Sequence, residues 1–256
     1  MQKIAVLVFM LIVLSAGSAM AQAPLKIAIE GQYPPFNYVD SQGTPKGFEV
    51  DLAKQICAII GRECKFVVLD WDGIITGLLA RKVDMVMASM SITEERKQSV
   101  AFTKKYYEES GSYVTRKGSG MVISKEGLEG KRVGVQRSTT WSSYIENTYP
   151  GVDVVYYDDD NRGLLDLLAG RIDTYLAQSY FMNQWLKKPE AKELQISGDP
   201  VRDSQYIGEG IGIAVRKGDV ELKKQLDEAL ATILKNGTYK KIASKYFNFD
   251  IYGFGM

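Results

Sequence analysis

The chain contains no histidine. That removes Ser-His and Cys-His nucleophile pairs, His-ligated zinc and the commonest general base at neutral pH. Any enzyme chemistry would have to rest on carboxylate, Lys or Tyr groups. Cysteine is scarce, with two in 256 residues, too few for a disulfide mini-scaffold. Two cysteines without a histidine also make a poor metal site, so no metal and no cofactor is expected. An excess of one charge is missing too. Lys and Arg total 32 against 31 Asp and Glu, and no basic block reaches five residues, which excludes a polybasic nucleic-acid binder. What remains, 45% hydrophobic and 25% charged, is the composition of an ordinary globular protein rather than collagen or low-complexity disorder.

Long apolar runs are confined to the start. Lys3 supplies a positive charge, Ile4 to Leu14 is an unbroken apolar run, and Ser15-Ala16-Gly17-Ser18 leads to Ala19-Met20-Ala21, a small-x-small cleavage signature. A buried core helix is the plainer alternative, but this order is that of a secretory signal peptide. The run is too short for a bilayer, which takes ~20 residues. Cleavage after Ala21 removes Lys3 and leaves a mature chain from Gln22 with no net formal charge. No lipobox cysteine follows the signal, and no other segment reaches ~18 apolar residues. The mature protein is therefore expected to be soluble and periplasmic.

The mature pattern alternates β and α. KIAIEG (26–31) reads as a strand, followed by the Pro-rich loop YPPFNYVDSQGTPKG. Residues 48–60 form an amphipathic helix stopped by Gly61, a C-cap residue, and 64–69 a strand. Cys57 and Cys64 flank that junction. An exported context allows them to bond and close a short loop; two free buried thiols are the other reading. A helix over 72–81 with Asp72 as N-cap, a buried strand over 84–88 and a short helix opened by Thr93 follow. Residues 99–115 look extended. A second series starts at KRVGVQ (131–136), with a helix from about Thr140, a strand at 153–157, a helix at 160–170, a strand at 173–177 and a helix at 178–187. A strand in GIGIAVRKG and helices at 219–236 and 238–247 end the chain. Such alternation predicts α/β architecture, with mostly parallel sheets flanked by helices.

Two series suggest two lobes. Leu78 to Ala88 (LLARKVDMVMA) parallels Leu167 to Ala177 (LLAGRIDTYLA), each a helix end, a tight turn and a buried strand. Coincidence between two αβ units is the plainer reading. If the echo is structural, Ser89 and Gln178 hold the same place in each lobe, just past a strand's carboxyl end. Ligands bind there in open α/β sheets. Extended chain at 105–115 and a return near 200–210 are the expected crossings. The expected division is 1–21 signal peptide, 22–109 with 205–256 as lobe 1, and 110–204 as lobe 2.

Ser89-Met90-Ser91-Ile92-Thr93-Glu94-Glu95-Arg96 places hydroxyls and backbone N–H groups at a helix N-terminus, which favours anions. Arg96 adds a planar fork suited to a carboxylate. Gln136-Arg137-Ser138-Thr139-Thr140 is a second donor-rich turn. Together they describe a carboxylate pocket clamped from both sides; read singly, each is a helix cap. Tyr33 and Trp71 follow strands of the first lobe beside Glu30. A carboxylate between aromatic faces suits a guanidinium or ammonium, although core aromatics and a solvated Glu30 would show the same spacing.

These residues carry a resemblance. YPPF (33–36), GFEVDLAK (47–54), SMSITEER (89–96), GKRVGV (130–135), AGRID (169–173), GIAVRK (212–217) and NGTYKKIASKYFNFDIYG (236–253), in order and spanning nearly the whole mature chain, resemble the periplasmic solute-binding proteins of polar amino-acid ABC transporters. The likeness is greatest to the lysine/arginine/ornithine- and histidine-binding group. It implies a two-lobed fold with a two-strand hinge, a Cys57–Cys64 disulfide, a monomer, and delivery of a basic amino acid to an inner-membrane permease. It also implies roles. Arg96 would grip the ligand α-carboxylate, helped by Ser91, Thr140 and the neighbouring Thr139. Ser89, next to Met90, would accept from the α-ammonium. Tyr33 and Trp71 would sandwich the side chain, and Glu30 would pair its distal charge. Gln178 departs from this pattern, because the family usually places an Asp there for the α-ammonium. That leaves an opine or another N-substituted arginine-type ligand as an alternative. A cyclohexadienyl dehydratase-like enzyme with Glu30 as its acid is a second alternative, and a chemosensory module a third.

Overall fold

The computed structural model describes residues 23–253, so the expected signal peptide lies outside the described residues. Two five-stranded sheets organise the chain. In the first, Cys64–Val68, Leu25–Ile29 and Met85–Val86 run parallel, and Ala214–Arg216 and Val100–Phe102 extend the sheet with antiparallel pairings. In the second, Asp153–Tyr157, Arg132–Gln136 and Thr174–Gln178 run parallel, followed by the antiparallel strands Gly111–Arg116 and Leu194–Val201. The parallel strands are those joined by helical crossovers, as alternation requires. The antiparallel ones lie beside the segments that pass from one sheet to the other.

The helix Phe48–Ile60 shows why the local sequence folds as it does. Its apolar residues Phe48, Leu52, Ala53 and Ile56 recur at helical spacing and are buried. They share a core with Leu226, Ala229, Leu230 and Ile233 of the helix Val220–Lys235. Gly61 ends it in the left-handed region, with its N–H returned to the Cys57 carbonyl, and three residues later Cys64 is bonded to Cys57.

Some boundaries differ from expectation. The helix expected over 72–81 is a 3-10 turn, Trp71–Gly73, leading into Ile74–Leu79, with no side-chain cap. Asp72 is drawn instead toward Arg137 of the other sheet, at 3.6 Å. The Pro-rich stretch read as loop carries a small three-stranded sheet, Gln32–Tyr33, Asn37–Val39 and Pro45–Lys46. Gly47 closes it at φ 118°, where a Cβ would lie 2.2 Å from the Phe36 carbonyl oxygen, so only glycine fits.

The internal echo is structural. Asp84 Oδ2 accepts from the Lys26 N–H at 2.9 Å, and Asp173 Oδ2 from the Arg132 N–H at 2.8 Å. Arg216 donates to the carbonyls of Leu78 and Val83, and Arg116 to those of Leu167 and Ile172. Each arginine also faces the aspartate of its own unit. The same clasp therefore locks the same turn in both sheets.

Two segments pass between the sheets, one after Phe102 and one after Val201. They pair with each other. The Tyr106 N–H donates to the Ile211 carbonyl at 2.8 Å and the Ile211 N–H to the Tyr107 carbonyl at 2.9 Å. This is the two-strand connection on which the lobes hinge. No helix among the described residues is long and apolar enough to cross a membrane.

Candidate functional site

One cavity collects residues that follow the carboxyl ends of strands in both sheets, the position open α/β sheets reserve for ligands. Glu30, Trp71, Ala88 and Ser89 come from the first sheet, and Gln136 and Asp160 from the second. Tyr33, Ser91, Arg96, Thr139 and Thr140 complete most of the wall. Eight of the ten residues singled out from sequence thus meet in one place. Met90 does not: its side chain is fully buried in the apolar core beneath, with Ile74, Leu78 and Val86. Nor does Gln178 line the space; it stands behind Glu109, whose Oε2 accepts from its Nε2 at 3.3 Å.

Arg96 sits on the four-residue helix Glu94–Lys97, capped by Thr93, whose Oγ1 accepts from the Arg96 N–H at 3.2 Å. Its guanidinium donates to the Ser91 carbonyl at 3.1 Å and reaches the Ser138 carbonyl at 3.4 Å. It lies 5.3 Å from the centre of the Trp71 ring, a cation–π contact. Burial pulls Arg96 down to about 10, with Glu109 and Glu95 opposing the shift, so it keeps its charge at neutral pH. No ion pair within 4.0 Å among the described residues occupies it, and its charge is left for an acid.

Glu30 marks the opposite end. Its Oε1 accepts from Gln136 Nε2 at 2.6 Å, across the two sheets. Burial, reinforced by Asp160, pushes its carboxyl up to about 8. Asp160 accepts from the Tyr175 hydroxyl at 2.8 Å, and burial raises it to about 7. The alternative of a solvated Glu30 does not hold, since the residue is 8% exposed. Tyr33 is backed by Phe181, stacked at 4.6 Å and nearly parallel. Trp71 donates from Nε1 to the Ser138 carbonyl at 3.0 Å.

A second layer fixes these groups. The buried Glu49 accepts from Asn37 Nδ2 at 2.6 Å, from the Ser89 N–H at 2.7 Å and from the Tyr106 hydroxyl. Asn37 Oδ1 in turn accepts from the N–H groups of Glu30 and Gly31. Ser89 and Ser138, on opposite sides, hold φ of 54° and 58°, left-handed values uncommon for non-glycine residues and concentrated at functional sites. Thr139 caps the helix Thr140–Thr148 through the Ser142 N–H.

Sequence reasoning passed over four wall residues: Ala88, Glu109, Trp141 and Asp160. Asp160 opens the helix Asp160–Leu168, and acids in a first turn ordinarily serve the helix dipole. Glu109 lies in extended chain, where nothing in the pattern tells which face is buried. Among the described residues no group of three or more Cys, Asp or Glu could hold a metal ion.

The cavity between these walls is about 20 Å³, little more than the ~10–15 Å³ that holds one water molecule. A ligand therefore needs the lobes to part. The arrangement offers a guanidinium with a ring beside it, and a carboxylate pair at the far end beside another ring. That is polarity for a zwitterion with a cationic tail.

Comparison with known proteins agrees. Residues 25–249 match the bacterial extracellular solute-binding proteins, family 3. The L-arginine-binding protein of Pseudomonas aeruginosa is 41% identical over 257 residues, covering 99% of each chain. The histidine-binding periplasmic protein of Escherichia coli is 40% identical over 244 residues, 93% of this chain and 94% of that one. Both are named as binding proteins, not enzymes. Among solved structures, an ancestral arginine-binding protein bound to arginine superposes with a TM-score of 0.82 at 36% identity, covering 89% of this chain and 99% of the other. On this full-length match in sequence and fold, the chain belongs to the bacterial extracellular solute-binding proteins, family 3.

Proposed function

We propose that the protein binds a basic amino acid (arginine, lysine, ornithine or histidine) in the periplasm and delivers it to the inner-membrane permease of an ABC transporter. The lobes are 22–109 with 205–256, and 110–204, closing as a hinge. The observation that carries this reading is the polarity of the cleft, with Arg96 at one end and the buried carboxyls of Glu30 and Asp160 at the other. The α-carboxylate takes the Arg96 fork, assisted by Ser91 and Thr140. The side chain runs past Tyr33 and Trp71, and its distal charge meets Glu30.

A thermal-unfolding panel of the mature chain tests it. Ligands that bind only the folded state raise stability as RT ln(1 + [L]/Kd), so at least one of the four amino acids raises the melting temperature by several degrees. Glutamate and leucine do not. Arg96→Met removes two charge-assisted hydrogen bonds to the carboxylate and weakens binding on the order of 100-fold. No shift with any of the four, and a shift with octopine alone, moves the assignment to an N-substituted ligand.

A further inference from the structure

The cleft holds more carboxyl groups than a distal cation needs. Three carboxylates line it, Glu30, Asp160 and Glu109, against one guanidinium, Arg96. They fall into two groups. Glu30 feels the charges of Asp160 and Asp159, whereas Glu109 feels that of Arg96. Ser91 ties Glu109 to Arg96 directly: its carbonyl accepts from Arg96 Nη1 at 3.1 Å, and its hydroxyl donates to Glu109 Oε1 at 2.5 Å. The second acid therefore stands at the carboxylate-gripping end of the cleft. An α-amino acid carries its ammonium and its carboxylate on one carbon, so the group that meets the ammonium must lie beside the group that meets the carboxylate.

Resting on the amino-acid reading above, the geometry points to Glu109 as the acceptor of the ligand's α-ammonium, with Gln178 as the positioning residue that holds it. Gln178 is 1% exposed. Its Nε2 donates to the Tyr107 hydroxyl at 3.1 Å and to Glu109 Oε2 at 3.3 Å. The reversed amide would set oxygen against a carboxylate, so the neighbours fix its orientation. An ammonium brings three donors. Ser89 shares the cavity wall with Glu109, and its hydroxyl oxygen carries acceptor lone pairs. It supplies a further acceptor. Gln178 therefore does not leave the amine end of the site neutral: the charge sits one residue away in space, on the segment that crosses between the lobes.

The test is a two-by-two comparison by titration calorimetry on the mature chain. The ligands are L-arginine and 5-guanidinopentanoate, which is arginine without its amine. The wild type prefers arginine. In Glu109→Gln, arginine binding weakens about ten- to a hundredfold, as expected for a lost charged hydrogen bond, while 5-guanidinopentanoate changes less than threefold. Gln178→Ala, which removes the amide that positions Glu109, weakens arginine with the same selectivity. Equal losses for both ligands, or no loss for arginine, overturns the role of Glu109 alone. If E109Q does not fold, Gln178→Ala decides: a reduced preference for arginine over 5-guanidinopentanoate supports the assignment, and an unchanged preference overturns it. If the wild type binds none of arginine, lysine, ornithine and histidine, the amino-acid reading itself fails. If it binds one of the other three and not arginine, that amino acid and its desamino counterpart replace the pair.

Discussion

Glu30, Glu109 and Asp160 are carboxyls that burial holds far above the ordinary carboxylate range, at about 8, 7 and 7. In the unfolded chain they titrate near ~4. Between these limits the folded state keeps protons that the unfolded state has lost, so stability falls as pH rises. These groups' stabilising share is fully present below about pH 4 and gone above about pH 8. Urea denaturation of the ligand-free protein at pH 5, 6.5 and 8 reads this as a falling midpoint. A cationic ligand favours the ionised acids, so the stabilisation added by saturating arginine grows over the same interval, and protons are released on binding. A midpoint difference that shrinks toward pH 8 would contradict it. At this scale the site was partly legible. Arg96 declared itself because Ser-x-Ser-x-Thr before a helix is a donor-rich turn. Glu109 stayed hidden because its neighbours Tyr106, Tyr107 and Ser110 are all buried as well, leaving no alternation to mark an inward face. Gln178 was read as a substitution at a contact, although its amide acts on another side chain.

The repeated helix–turn–strand unit shows what each sheet requires of its parts. Arg81 and Gly170 occupy equivalent turn positions at φ 60° and 74°. A left-handed residue with a side chain costs roughly 1–2 kcal/mol, partly offset by the backbone freedom glycine loses on folding. Arg81→Gly therefore stabilises by up to about 1 kcal/mol, measured as a higher urea midpoint, with ligand affinity unchanged because the turn is remote from the cleft. Thr93→Ala behaves otherwise. It removes the cap of the short helix that carries Arg96, costs about 1 kcal/mol, and weakens arginine binding in calorimetry because the guanidinium loses its mount. Element order followed from hydrophobic period, as in 48–60 and 153–157. Periodicity did not show that Asp72 would leave its cap for Arg137, since a long-range ion pair has no local signature. The small sheet within the Pro-rich loop was likewise invisible, its strands being two or three residues long.

Across the whole molecule the lobes touch through polar links as well as through ring contacts such as Tyr33 on Phe181. Trp71 and Arg96 both reach the Ser138 carbonyl, Glu30 meets Gln136, and Ser91 Oγ lies 3.5 Å from Thr140 Oγ1. Such contacts form and break readily in water, which suits a cleft that must open to admit a ligand. Small-angle scattering should record a smaller radius of gyration with arginine than without; identical curves would count against hinge closure. Trp71→Ala weakens binding about tenfold or more, whereas Arg137→Ala, which breaks only exposed ion pairs with Asp72 and Asp158, changes it by no more than a few-fold. Glu109 stands at the very edge of its jaw, beside the connection. It sits two residues beyond Tyr107, where the connecting strands are laced together. A grip mounted on an axle travels least when the jaws swing, so the first anchorage a captured molecule finds is also the last it must release.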